Sequence, residues 1–134
     1  MKVVLDTNVL ISWVFGKGSA INLMVEEVLT GHQLFACDEI LDEVSEKLAS
    51  PRLQKYIDSE RARQLVARYT SKATRLEVIN HLQVCRDPDD DIVLALAVTA
   101  EADCIITGDN DLLILHPYQN IQIVTPATFT DKFL

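Results

Sequence analysis

The sequence lacks the features that mark several classes of protein. None of its apolar runs approaches the ~18 to 20 residues of a membrane-spanning helix, which predicts a protein without a transmembrane segment. It has no low-complexity tract and no repeat of fixed period, which argues against a disordered or solenoid protein. Met1-Lys2-Val3 leads directly into a strand-like run, so we expect no signal peptide and a cytoplasmic protein.

Cysteine and histidine are also scarce. The three cysteines are Cys37, Cys85 and Cys104. Their number is odd and they lack the spacing of zinc ligands, so we expect reduced side chains, two of them in buried strands. The three histidines are His32, His81 and His116. None lies in a motif, which makes acid-base catalysis by an imidazole a poor explanation of any activity.

What the sequence does contain is the composition of an ordinary globular protein. Hydrophobic residues make up 49% of the chain and charged residues 24%. A chain of 134 residues fits one domain and buries roughly two-thirds of the surface that it exposes when unfolded. We therefore expect a single domain over residues 1–134.

Short apolar runs alternate with longer amphipathic segments along the chain. We predict strands in Val3–Leu5, Leu34–Cys37, Cys104–Thr107 and Ile121–Val124. We predict helices over 20–29, from a cap at Asp38 to 49, in one or two pieces over 53–76, and over 88–102, with Thr125-Pro126 opening a last one. Residues 78–85 are ambiguous. This alternation predicts a three-layer α/β/α sandwich around a mainly parallel sheet of four to five strands.

Acidic residues gather where the predicted strands and loops run into the next element. Asp6 closes the first strand, Asp109 follows the strand that ends at Thr107, and Asp89-Asp90-Asp91 opens a helix. Ligands bind at the carboxyl ends of parallel strands, so these acids predict a carboxylate-lined metal site. Taken singly, Asp90 or Asp91 could be a helix cap, and Asp109 a turn residue.

The helix that follows Asp38 carries further acids, which helical geometry can rank. Its apolar face is formed by Ile40, Leu41, Val44 and Leu48. At ~100° per residue, Glu43 lies roughly 110° from the centre of that face, whereas the other acids lie roughly 150° or more away. Glu43 is therefore the acid at the margin of the buried face, unless it is only a surface residue.

Basic residues are concentrated in one segment of an otherwise acidic chain. Between residues 51 and 75, seven basic residues face two acids, giving +5 in a chain of net charge -8. The proposed RNA-binding set from this segment is Arg52, Lys55, Arg61, Arg63 and Arg68. Such a segment could hold a phosphate backbone beside an acidic crevice, or it could be a solvated helix surface.

Four motifs, in order and spacing, resemble the PIN domain. They are Asp6-Thr7-Asn8-Val9-Leu10, Glu43, Asp87-Pro88-Asp89-Asp90-Asp91, and Thr107-Gly108-Asp109-Asn110-Asp111-Leu112-Leu113. The branch that the chain resembles most is the group of toxin components of toxin-antitoxin systems. The resemblance covers residues 2 to about 126.

The resemblance implies a ribonuclease that binds Mg²⁺ or Mn²⁺ through four carboxylates. Carried over by position, three of them are Asp6, Glu43 and Asp109. The third acid in chain order is Asp91 by the family's usual spacing, or Asp90 by the Asp-Pro-Asp-Asp pattern of this branch; spacing favours Asp91. The supporting residues would be Asn8, Thr107 and Asp111.

The resemblance also implies an RNA substrate, a homodimer and a partner antitoxin. Two other classes of protein could share this fold. A receiver-like switch requires a Lys near the end of a late strand, and neither Thr107-Gly108-Asp109 nor Val124-Thr125-Pro126 contains one. A catalytically silent PIN-fold interaction module would usually lack one of the acids, and this chain retains all of them.

Overall fold

The computed structural model describes residues 1–16, 18–79 and 82–134, and within them it has five strands and eight helices. The strands are β1 Lys2–Leu5, β2 Gln33–Ala36, β3 Thr74–Arg75, β4 Cys104–Ile106 and β5 Gln122–Val124. The helices are α1 Thr7–Phe15, α2 Ala20–Gly31, α3 Asp38–Ala49, α4 Pro51–Gln54, α5 Ser59–Lys72, α6 Pro88–Ala100, α7 Asn110–Leu113 and α8 Pro126–Phe133.

The strands form one parallel sheet in the order β3-β2-β1-β4-β5, which confirms the predicted α/β/α class. The central strands β1 and β4 are in a register that places Leu5 beside Ile106. The next residues, Asp6 and Thr107, therefore leave the sheet side by side at its carboxyl edge. The backbone N–H of Asp6 donates to the carbonyl of Ile106 at 3.0 Å, which continues the pairing to the last strand residue.

Side-chain caps explain where several helices begin. Ser19 accepts a hydrogen bond from the backbone of Asn22 at the start of α2, and Thr125 caps α8, both as predicted. Helix α3 begins at Asp38 itself, and the residue before it makes no side-chain cap bond. At α6 the cap is Asp87, whose carboxylate accepts the N–H of Asp89. The alternative that Asp90 or Asp91 caps this helix is therefore wrong.

The middle of the chain differs from the sequence-based prediction. The helical stretch expected over 53–76 consists of α4, α5 and the edge strand β3. Asp58 caps α5, and the extended backbone of Ala73 ends it, so the two following residues pair with β2. Both residues of β3 are exposed, which is why no alternation marked them as a strand. In the ambiguous region 78–85, residues 78–79 and 82–85 form no helix or strand. Asn80 and His81 lie outside the described residues, so the prediction that His81 takes no part in acid-base catalysis is not tested.

Helix α6 is the central helix of the core. It contacts β1, β2 and β4, and Leu94, Leu96 and Ala97 on it are completely buried. Apolar side chains surround this helix on several faces, which explains its lack of an amphipathic pattern. Cys37 and Cys104 are buried as expected, and the three cysteines are free. Among the described residues, no helix has the length and apolarity needed to cross a lipid bilayer.

Candidate metal-binding active site

The Thr107 hydroxyl forms hydrogen bonds with both of the acids that follow β1 and β4. Its hydroxyl donates to the Oδ2 atom of Asp6 at 2.7 Å and accepts the backbone N–H of Asp109 at 3.0 Å. Thr107 is fully buried and Asp6 is only 4% exposed, so water cannot replace these bonds. The ends of two adjacent strands are thereby locked into one arrangement, with two carboxylates beside each other.

Asp90 reaches the same place from the first turn of α6. It is 5% exposed, and its Oδ2 atom has no hydrogen-bond partner among the described residues. A buried carboxylate oxygen without a partner is costly, because the lost hydration is not replaced. Since Asp87 caps the helix, capping does not account for Asp90.

Three acids stand close enough to hold one cation. Asp90, Asp109 and Asp111 each offer an oxygen, and these oxygens lie within 4.8 Å of one another. Asp109 also accepts the N–H of Asp111 at 2.9 Å, which fixes the turn that brings the two side chains to the cluster. The outer member, Asp111, lies 3.6 Å from the exposed guanidinium of Arg86.

Burial and mutual repulsion change the proton affinity of these carboxyls. Burial is the main cause that raises the pKa of Asp90 to about 7, and the neighbouring carboxyls of Asp109 and Asp6 add to it. Burial also raises the pKa of Asp6, against the opposing hydrogen bond from Thr107, and Asp109 and Glu43 contribute like-charge repulsion. The acids are therefore close enough to repel one another, and without a cation this repulsion favours the protonated form of Asp90 and Asp6.

Asp91 lies in a different environment from Asp90. Its Oδ1 atom accepts the backbone N–H groups of Val84 and Cys85 at 2.9 and 2.7 Å. Burial would raise the pKa of Asp91, but these donors outweigh it and lower the pKa. The Asp91 carboxylate thus pins the loop before α6, and the structure does not bring it into the group of Asp90, Asp109 and Asp111.

Glu43 borders the acids from α3. Its side chain is 18% exposed, and it pairs at 2.9 Å with the ammonium group of Lys47 one turn along the helix. Lys47 also donates to the Oδ1 atom of Asn8 at 3.2 Å. As helical geometry predicted, Asp42 and Glu46 are more exposed than Glu43. Asn8 is exposed and faces this lysine.

The described carboxylates fit a hard divalent cation. The donor set of Asp90, Asp109 and Asp111 consists of oxygen atoms, which Mg²⁺ and Mn²⁺ prefer. Asp90 also has a buried oxygen without a partner among the described residues. Asp6 and Glu43 are not in this group of three, but Asp6 is close enough to Asp109 and Glu43 for their charges to add to the rise in its pKa. A cation there would remove the repulsion and the desolvation cost together.

Most of the predicted RNA-binding residues already have partners within the chain. Arg68 makes two hydrogen bonds to Glu26, at 2.9 and 2.7 Å. Arg61 donates to the carbonyl of Val14, and Arg63 pairs with Glu60. Within this set, Arg52 and Lys55 are exposed, and their side chains have no hydrogen bond or ion pair with any described residue. A large share of the positive segment thus holds helices together.

Sequence reasoning missed three residues near the site. Asp87 could have been recognised, because Asp followed by Pro at the first helical position is a known start signal. Lys47 lies four residues after Glu43, a spacing that indicates an ion pair. No sequence signal distinguished Thr7, which is 1% exposed and whose hydroxyl oxygen has no partner among the described residues.

Comparisons of sequence relate the chain to known proteins. The sequence profile of the PIN domain matches residues 2–111. An uncharacterized protein of Methanocaldococcus jannaschii, MJ1680, is 31% identical over 99% of this chain and 92% of its own length.

A similar solved structure is that of VapBC2 from Rickettsia felis, bound to a DNA fragment from its promoter. The likeness covers 93% of this chain and 98% of that one, with a TM-score of 0.62 and 12% identity. At that identity it establishes the fold alone. The profile match and the archaeal relative extend over most of the chain, and the fold agrees with both. The chain therefore belongs to the PIN domain family, whose members are generally nucleases.

Proposed function

We propose that the protein is a ribonuclease that depends on Mg²⁺ or Mn²⁺. The observations that carry this proposal concern the Asp90 carboxyl. Its Oδ2 atom is buried and has no partner among the described residues, and the carboxyl offers an oxygen within 4.8 Å of ligand atoms from Asp109 and Asp111. Burial of an oxygen without a hydrogen-bond partner is costly in the metal-free protein, and binding of a cation to that carboxyl would offset the cost.

The proposed ligands are Asp6, Glu43, Asp90 and Asp109. This set replaces Asp91, which sequence spacing favoured, with Asp90. The reason is that Asp91 already accepts two backbone hydrogen bonds, whereas Asp90 accepts none at Oδ2. Asp111 would reach the cation from the outer side of the cluster, and Thr107 would hold Asp6 and Asp109 in position.

The chain's own groups determine how a phosphodiester would be held for cleavage. A bound divalent cation supplies Lewis-acid chemistry, acidifying a water molecule and neutralising charge on the phosphoryl oxygens. Asp6 is held by the hydrogen bond from Thr107, which restricts the positions of its carboxylate. Glu43 pairs with Lys47 through its Oε1 atom, so Oε2 is the oxygen that could contact a cation while Lys47 stays in place.

The direct test is cleavage of a labelled single-stranded RNA with Mn²⁺, with Mg²⁺ and with EDTA. We expect cleavage with either cation and none in EDTA. The Asp6→Asn variant should lose the activity, while its circular dichroism spectrum matches that of the wild type. Equal cleavage in EDTA would reject the metal. Inactivity with every RNA and cation, together with binding of a protein partner, would favour the silent interaction module instead.

Two partners complete the proposal. The structural neighbour from Rickettsia felis is a VapBC assembly, and the PIN resemblance of this chain includes toxin components, so we propose a cognate antitoxin. Co-purification with the product of an adjacent gene, and suppression of RNA cleavage by it, would support that assignment. We further propose a homodimer, which light scattering at several concentrations would detect; a constant monomer mass would contradict it.

A further inference from the structure

A groove is formed by residues of helices α1, α3 and α4. Its volume is about 430 Å³, and the residues that line it include Asn8, Lys47, Ser50 and Arg52. None of the proposed ligand acids lines it, but Lys47 pairs with Glu43. The groove therefore adjoins the proposed metal site at Glu43.

Lys47 occupies the boundary between the groove and the acids. Its ammonium group is held from two sides, by Glu43 at 2.9 Å and by Asn8 at 3.2 Å, while 41% of the side chain stays exposed. These two contacts restrict where the cation can lie. An ammonium group has three donors, so one remains for an anion in the groove.

Arg52 supplies a second cation farther along the same groove. It is exposed, and within the described residues it has no hydrogen bond or ion pair. It therefore differs from Arg61, Arg63 and Arg68, whose guanidinium groups are already occupied. Glu46 also lines the groove and Glu43 pairs with Lys47, so Arg52 is the cation of the groove that has no partner among the described residues.

We propose that this groove binds the phosphodiester next to the one that is cleaved, with Lys47 and Arg52 contacting its oxygens and Asn8 positioning Lys47. This inference rests on the proposed ribonuclease function. A polynucleotide is favoured over an acidic peptide because the groove adjoins a carboxylate site at Glu43. One phosphate could contact Lys47 and Arg52 while the next contacts a metal ion held by the carboxylates. An acidic peptide would place its carboxylates against those of Asp6 and Asp90.

Equilibrium binding in EDTA tests the groove without any cleavage. Anisotropy of a fluorescein-labelled oligouridylate would be measured over a range of salt concentrations for the wild type, Lys47→Gln, Arg52→Gln and Lys55→Gln. Each lost phosphate contact should reduce the slope of log K against log salt by about 0.7. We expect that reduction for Lys47→Gln and Arg52→Gln. Lys55→Gln is the matched control, since Lys55 is exposed nearby but does not line the groove.

Three binding results would overturn the proposal. They are an unchanged slope in both groove variants, an equal reduction in Lys55→Gln, and equally tight binding of polyglutamate with the same dependence on Lys47. The last result would indicate an acidic peptide as the occupant. Thermal unfolding of each variant within about 2 °C of the wild type would show that the comparison concerns binding rather than folding.

Cleavage kinetics distinguish a failure of this inference from a failure of the proposed function. In Mn²⁺, Arg52→Gln should raise KM roughly twofold to fivefold, the range for an exposed ion pair, with kcat little changed. Normal KM in this variant, with Mn²⁺-dependent cleavage intact, would reject the groove and keep the nuclease. Absence of cleavage in the wild type, with the salt slopes as expected, would reject the nuclease and keep an RNA-binding groove.

Discussion

Asp90 and Asp91 are neighbours in the chain but have opposite environments. Successive helical residues differ by ~100° in direction, so the two side chains cannot both enter the same site. Asp90 has a raised pKa and a buried oxygen without a partner in the described part of the chain, whereas Asp91 accepts two backbone hydrogen bonds and has a lowered pKa. We therefore propose that Asp90 binds the metal ion and that Asp91 positions the loop before α6.

The first prediction compares the amide variants of these two residues. Asp90→Asn should abolish Mn²⁺-dependent RNA cleavage and weaken Mn²⁺ binding measured by calorimetry, while the protein stays folded. Asp91→Asn should retain cleavage and lower the free energy of unfolding by about 1 to 3 kcal/mol, because charge-assisted bonds to the loop are weakened. Full activity in Asp90→Asn with none in a folded Asp91→Asn would restore the assignment that sequence spacing favoured.

The second prediction concerns the pH dependence of stability in EDTA. The pKa of Asp90 is about 7 in the folded chain and ~3.9 when unfolded, so between these values the folded state binds more protons. The free energy of unfolding should therefore fall as the pH rises from about 4 to 7. Asp6, whose pKa is also raised, contributes in the same direction.

Urea unfolding at several pH values measures this dependence. The fall in the free energy of unfolding with rising pH should be smaller in Asp90→Asn, because the amide side chain does not titrate. Asp42→Asn is a suitable control, because Asp42 is exposed on α3 away from the buried face. An identical decline in wild type and Asp90→Asn would show that this carboxyl is not the group responsible.

At the scale of elements, the site is built by the meeting of two strand ends and one helix start. Strands β1 and β4 place Asp6 and Thr107 side by side, and the cap Asp87 fixes where α6 begins. The caps at Ser19 and Thr125 were predictable because they depend on a few consecutive residues. The short strand β3 was not, since its pairing with β2 is a long-range contact.

The third prediction tests the junction of the two strands. Thr107→Val keeps the shape of the side chain but removes its hydrogen bonds with Asp6 and Asp109. Because Thr107 is fully buried, we expect a loss of about 1 to 3 kcal/mol in the free energy of unfolding and weaker Mn²⁺ binding. The control is Thr99→Val, at an exposed position where the hydroxyl bonds a carbonyl of the same helix. Equal effects in both variants, by urea unfolding and calorimetry, would contradict this role.

At the scale of the whole molecule, the charge is unevenly distributed. The net charge is -8, yet residues 51–75 carry +5. Several of those cations stabilise helix contacts, such as that of Arg68 with Glu26 across α5 and α2. The surface available for RNA is therefore smaller than the composition implied.

The fourth prediction is that Mn²⁺ stabilises the folded protein as a whole. A cation at about 100 times its Kd adds about 2.7 kcal/mol, which for a domain of this size raises Tm by about 10 °C. The increase should be larger at pH 8 than at pH 6, because protons compete with the cation for Asp90. Differential scanning calorimetry of the wild type and Asp6→Asn would measure it. The same increase in Asp6→Asn would place the cation elsewhere.

The sequence by itself determined the fold class, most element boundaries, the family resemblance and the acids Asp6, Glu43 and Asp109 as candidates. These depend on local spacing, caps and the ends of buried strands, which neighbouring residues specify. Only the tertiary structure distinguished Asp90 from Asp91 and grouped Asp111 with Asp90 and Asp109. The physical reason is that the rotation of α6 against the sheet, and the position of the loop at Val84 and Cys85, arise from packing between distant parts of the chain.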